Sequence, residues 1–165
     1  SMSSKPNALP WLIVSLAVIA LDQLTKLIAL AKLGTLGSVA VIPGFLNWTL
    51  AFNTGAAFSF LADADGWQRW LYAALAIGVS AVLVVWLART PRHDWRNAAP
   101  LALIIGGALG NLIDRLRLGH VVDFIHVHYY GEWNYPAFNI ADSSIFIGAV
   151  MLIAFGLFTP GRRAP

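Results

Sequence analysis

The chain reads as an all-α membrane protein, four transmembrane helices carrying two structured loops on one side. Two observations predict that class. Of its 165 residues, 58% are hydrophobic and 12% charged, whereas a soluble domain carries about 25% charged residues. The apolar residues are also gathered into four stretches of helical length, at about 11–33, 70–87, 98–113 and 144–158. No repeat or low-complexity tract divides the chain, so residues 1–165 read as a single domain.

The first stretch would reach roughly 34 Å as a helix, enough to cross a hydrocarbon core of about 30 Å. It is long, carries charges and is followed by no small-residue cleavage site, so it reads as a retained span. The third and fourth are short by count and extend into polar flanks, since Asp114, Arg115 and Asp142 abut them. Four spans put both termini on one side. Lys5, Arg89, Arg92, Arg96, Arg162 and Arg163 then share that side, in short tails and a tight loop, which the positive-inside rule makes cytoplasmic. The outer loops are 34–69 and 114–143.

Those loops have a pattern of their own. Residues 38–42 and 45–50 are β-branched or alternating and are punctuated by Gly37, Pro43, Gly44 and Gly55, which predicts a small sheet on the membrane surface. Residues 119–141 concentrate aromatic side chains, among them Tyr129, Tyr130, Trp133, Tyr135 and Phe138, as a lipid–water interface favours. Asp63 to Gly66 supplies a start signal for the second helix. The sequence has no cysteine, which removes disulfides and thiol nucleophiles. Its 11 basic against 8 acidic residues are scattered, so no nucleic-acid surface is expected.

Ionisable residues within spans carry the chemical information, because each costs roughly 2.5–3.5 kcal/mol at the bilayer centre on insertion scales. Asp22 and Lys26 lie four apart on one helix face, the spacing of an ion pair that fixes helix packing. Gly106 and Gly110 form a GxxxG that lets helices approach closely, and the same span leads into Asn111, Asp114 and Arg115. Asp123 follows on the outer side and Asp142 opens the fourth span there. From the pattern, Asp142 serves as a helix N-cap and Asp123 as a loop charge, or the two form a catalytic pair. Two carboxylates about 3 Å apart cannot both ionise, so such a pair holds a general base and a general acid together. The helix dipole favours the charge on Asp142. His126 and His128 alternate within a possible strand but lack HExxH spacing or a third convincing ligand, so no metal is expected. A serine–lysine pair of Ser59 with Lys26 is the remote alternative.

Five blocks in order now identify a relationship: Asp22-Gln-Leu-Thr-Lys26, Asn53-Thr-Gly-Ala-Ala-Phe-Ser59, Gly106-Gly-Ala-Leu-Gly-Asn-Leu-Ile-Asp-Arg115, Val122-Asp-Phe124 and Phe138-Asn-Ile-Ala-Asp142. With these the chain resembles the bacterial lipoprotein signal peptidase family, also called signal peptidase II, departing only in Tyr135-Pro136 where Trp-Pro is expected. The resemblance implies an aspartic endopeptidase of the inner membrane, active at the periplasmic face, that cuts a prolipoprotein on the amino side of a diacylglyceryl-modified cysteine. It implies Asp123 and Asp142 as the catalytic dyad. Asn53, Asn111, Arg115 and Asn139 would line the site, and Asp22, Lys26 and Asp114 would support the polar interior. It also implies a β-cradle over 34–61 and a mobile outer segment around 119–135. Expected partners are lipid-modified prolipoproteins and membrane lipids, with no cofactor, the chain acting as a monomer. The alternative from another class is a small proton-coupled transporter that relays protons along its intramembrane carboxylates.

Overall fold

The computed structural model describes residues 5–55 and 66–158. It is mostly helical, with α1 (Leu12–Leu36), α2 (Trp67–Ala88), α3 (Trp95–Leu118) and α4 (Ile140–Phe158). The strands are β1 (Ser38–Ile42), β2 (Leu46–Asn53), β3 (Val121–Tyr129) and β4 (Trp133–Asn134). Among the described residues three helices are long and apolar enough to cross a membrane; α4 is apolar but shorter.

α1 shows an inverted pattern. Its buried residues are Ser15, Asp22, Lys26, Ala29 and Leu33, a stripe at three- and four-residue steps and hence one helix face. Three of the five are polar, while Ile13, Leu16 and Leu24 on other faces are more than half exposed. Such a helix makes sense only where the surroundings are hydrocarbon and the polar groups need partners inside the protein.

α3 supplies those partners from the middle of the bundle, packing against α1, α2 and α4. Small residues make this possible. A Cβ on Gly106 would lie 2.8 Å from Cβ of Val18, one on Gly110 2.6 Å from Oδ2 of Asp22, and one on Gly107 would run into the Ala141 carbonyl oxygen. Glycine therefore brings α3 against α1 on one face and against the start of α4 on another. One end of the bundle is tied by backbone hydrogen bonds from Ala8 to Thr90 (2.9 Å) and from Arg92 to Pro6 (2.9 Å), with the Trp11 indole donating to the Arg92 carbonyl at 2.8 Å. Lys5, Arg89 and Arg92 thus belong to the same end of the molecule.

At the other end the four strands form one antiparallel sheet in the order β1-β2-β3-β4. The expected cradle is there as the β1–β2 hairpin, with Val39 opposite Trp48, although its residues 56–61 lie outside those described. The segment 119–135, which the resemblance implies to be mobile, carries β3 and β4. It is built into the sheet, β3 pairing with β2 over Leu46–Val127 to Asn53–Val121 and β4 with β3 at Tyr129–Trp133. β-Branched and aromatic residues are frequent along 121–129, as suits a strand. The start signal at Asp63 and Asp65 lies outside the described residues, and α2 begins after Gly66 (φ +82°).

Candidate active site

The site forms where the C-terminal end of α3, the first turn of α4 and the start of β3 meet α1. At its base Lys26 is 2% exposed and Asp22 0%. Lys26 Nζ lies 2.7 Å from Asp22 and 2.9 Å from Asp114, and donates to Asn111 Oδ1 at 3.0 Å. The pairing expected from the four-residue spacing forms, and Asp114 adds a second carboxylate to the same cation. Gln23 closes the cluster, its amide donating to Asp114 Oδ1 (3.0 Å), the Gly110 carbonyl (3.1 Å) and Asp22 Oδ2 (3.2 Å).

Both acids also hold backbone. Asp22 Oδ1 accepts the N–H of Ala141 in the first turn of α4 at 2.9 Å, and Asp114 Oδ2 accepts the N–H of Val122 beside Asp123 at 3.0 Å. The ion cluster therefore locks the two segments that carry the candidate pair. Breaking such a buried network is costly, because the groups left behind lose partners where no water replaces them.

Asp142 sits in the first turn of α4, but the cap assignment changes. Asn139 is the N-cap, its Oδ1 accepting the Asp142 N–H at 2.8 Å, and Asp142 is the third helical residue, its Oδ2 accepting the Asn139 N–H at 3.2 Å. This reciprocal pair is a capping box with aspartate in the place of glutamate. The other oxygen of Asp142 is held by Asn111 Nδ2 at 2.8 Å.

Asp123 is 3% exposed on β3 and accepts from Asn139 Nδ2 at 2.9 Å. That nitrogen also lies 3.0 Å from Asn111 Oδ1 and 3.2 Å from the Val122 carbonyl. The two aspartates are thus bridged by two asparagines that bond each other. Asn53, at the exposed end of β2, adds a side-chain hydrogen bond to Asp123 while its Oδ1 accepts the Gly55 N–H at 2.8 Å. Burial, and then the charge of Asp142, push the Asp123 carboxyl up to about 7, against the pull of Lys26 and the two asparagines. Asp142 also borders an apolar cavity of about 450 Å³, lined with Tyr135, Phe138, Ser143, Phe146 and Ile147.

Arg115 stands on the α2 side of this cluster, its guanidinium 4.9 Å from the centre of the Tyr72 ring and within electrostatic reach of Asp142, Asp123 and Asp114. Every residue expected to line or support the site is therefore brought to one end of the molecule. Gln23, Arg69 and Tyr72 were not expected there. Gln23 had a usable signal, a polar side chain within a span; Arg69 and Tyr72 act on backbone and on a ring face, which no motif marks. His126 and His128 stack at 5.0 Å and serve the β3–β4 hairpin, His126 bonding Asn134 at 2.9 Å and His128 accepting the Gly131 N–H at 3.3 Å. Ser59 lies outside the described residues, and Lys26 is committed to its two aspartates.

A family model described as signal peptidase (SPase) II matches residues 14–158. A lipoprotein signal peptidase of Xanthomonas campestris pv. campestris (strain 8004) is 56% identical over 165 residues, covering 99% of this chain and 98% of that protein. One from Pseudomonas aeruginosa (strain UCBPP-PA14) is 59% identical over 144 residues, 87% of this chain and 85% of its own length. Among solved structures, a bacterial membrane enzyme determined by the in meso method is similar with a TM-score of 0.80 and 34% identity, over 97% of this chain and 99% of that one. A second bacterial membrane enzyme has a TM-score of 0.75 and 33% identity, over 94% and 93%.

Proposed function

The chain belongs to the signal peptidase II family, a membrane peptidase that removes signal peptides from prolipoproteins, and we propose that it works as an aspartic endopeptidase with Asp123 and Asp142 as its catalytic pair. The observation that carries this reading is the asparagine bridge: two carboxylates on different elements share Asn111 and Asn139 beside an apolar cavity. Asp142, fed by donors at the positive end of α4, is the carboxylate. Asp123, raised to about 7, holds the proton.

The chemistry follows from those two states. Asp142 takes a proton from water as its oxygen attacks the scissile carbonyl carbon, and Asp123 gives its proton to the carbonyl oxygen. The resulting gem-diol collapses as Asp142 passes its proton to the departing nitrogen, the C–N bond breaks, and one hydroxyl proton returns to Asp123. Asn53 and Arg115 bind the substrate backbone, Arg115 as a charge that does not titrate. The bond cut lies on the amino side of a diacylglyceryl cysteine, and the Tyr135–Ile147 cavity takes apolar substrate.

The same reading has α4 cross the bilayer with the other three helices, both termini in the cytoplasm and the site at the periplasmic face of the inner membrane. The transporter alternative is not favoured: Asp22, Lys26 and Asp114 are spent on one another at one end of the bundle. The deciding experiment incubates purified protein with a lipidated precursor peptide. Asp123→Asn and Asp142→Asn are each expected to fold and insert yet release no signal peptide; turnover within tenfold of the parent by either would sink the dyad.

A further inference from the structure

We propose that Arg69 and Tyr72, on the first turns of α2, are positioning residues that grip Arg115 at both ends and so set where its charge stands relative to Asp123 and Asp142. The inference rests on the aspartic reading above.

The grip has two parts. At the backbone end, Arg69 Nε donates to the Arg115 carbonyl at 2.7 Å and its Nη2 to the Leu116 carbonyl at 2.5 Å. These carbonyls belong to the last turn of α3, where acceptors run short of helical donors. A cation there also meets the negative end of the helix dipole. The planar guanidinium addresses two adjacent carbonyls at once, which an ammonium cannot reproduce. One further bond, from the Gly119 N–H to the Arg115 carbonyl at 3.2 Å, ends the helix. At the side-chain end, the Arg115 guanidinium lies over the Tyr72 ring at 4.9 Å, a cation–π contact.

Both residues project from one α2 segment, three positions apart and thus on one face. Tyr72 also touches the residues just after β2: its hydroxyl lies 3.4 Å from the Gly55 carbonyl, and a Cβ on Gly55 would run into its ring. α2 provides none of the asparagines or aspartates of the site, yet these contacts join it to Arg115, to the turn before β3 and to the residue two beyond Asn53. The charged and titratable groups facing Arg115 are Asp142 from α4, Asp123 from β3, Asp114 from α3 and Tyr72 from α2. Release of the grip moves a fixed cation away from a pair that must carry one negative charge.

The test measures kcat, KM and the pH profile of purified variants on a lipidated precursor peptide, with thermal unfolding beside them. Arg69→Gln is expected to lower kcat about tenfold, with KM within about twofold and the whole pH profile displaced upward by about half a unit, since a departing cation favours the protonated acids. Tyr72→Leu is expected to do the same. Arg69→Lys, able to make one of the two bonds, is expected to recover part of kcat and to serve in place of Arg69→Gln if that variant does not fold. Arg96→Gln, at the far end of α3 over Trp95, is the control expected to match the parent. An unshifted profile with kcat within twofold in Arg69→Gln and Tyr72→Leu overturns the proposal, as does a loss that follows only the unfolded fraction. If Asp123→Asn also cleaves, it is the aspartic reading that fails; if Asp123→Asn is dead and the α2 variants behave as the parent, only this inference does.

Discussion

Asp123 concentrates the chemistry of the site in one side chain. It is buried, faces a second carboxylate and is held by amide donors, and the first two effects win, placing its proton loss at about 7. Its acid form is present below that point and lost above it. Cleavage is therefore expected to be bell-shaped in pH, with kcat/KM falling as pH rises through about 7; a flat profile from pH 4 to 9 in a reaction limited by chemistry would count against the pair. The sign for stability is the same. A carboxyl raised from its ordinary 3.8 contributes fully at low pH, and that contribution fades as pH rises through about 7, because the unfolded chain ionises more readily. Asp123→Asn keeps the acceptor for Asn139 and cannot ionise. It is expected to be inactive yet to melt higher than the parent at pH 8 and level with it at pH 4, as thermal unfolding in detergent would register.

Among the elements, α4 is placed by contacts that reach across the whole sequence. Asp22 accepts the Ala141 N–H, and Gly107 leaves room for the Ala141 carbonyl. Gly107→Ala would press a methyl into that carbonyl, so it is expected to cost about 1–3 kcal/mol and to impair cleavage by shifting Asp142. Gly78→Ala, with nothing within 4 Å, is expected to cost nothing; equal melting of the two variants would remove the close approach from the account. Lys26→Met strands Asp22 and Asp114 and is expected to destabilise by about 3–5 kcal/mol. The sequence exposed these elements unevenly. The Asp22–Lys26 pair was legible because four residues make one helix turn, and the small-residue face of α3 because its glycines are consecutive or four apart. The cap of α4 was not, since Asn139 and Asp142 are both good N-cap residues and only the reciprocal bonds separate them. Nor was the pairing of β3 with β2, which joins segments about 70 residues apart, or the hold of Arg69 on carbonyls that any sequence would present.

At the scale of the whole molecule, polarity is arranged by depth. One end holds the backbone clasp between 6–8 and 90–92 with Arg89, Arg92 and Arg96 around it, and the opposite end holds the sheet, the ion cluster and the candidate pair. α1 to α3 have the length and hydropathy to cross a membrane, whereas α4, the shorter helix, decides whether the chain ends on the side where it began. Because the sequence contains no cysteine, single cysteines can report each loop without background. Glu132 and His93 are both exposed, at opposite ends of the fold. In intact cells, Glu132→Cys is expected to react with a membrane-impermeant maleimide, whereas His93→Cys reacts only after permeabilisation. Arg162→Cys, beyond the described residues, tests α4. Protection until permeabilisation places it with His93 and makes α4 a span, which also fixes Asp142 at the outer surface, where water can meet a substrate held by lipid. Labelling of Arg162→Cys in intact cells alongside Glu132→Cys would leave only three crossings and would require Asp142 to enter the bilayer from a helix that turns back, a placement in which the capping box and the Asn111 amide would have to keep its carboxylate charged.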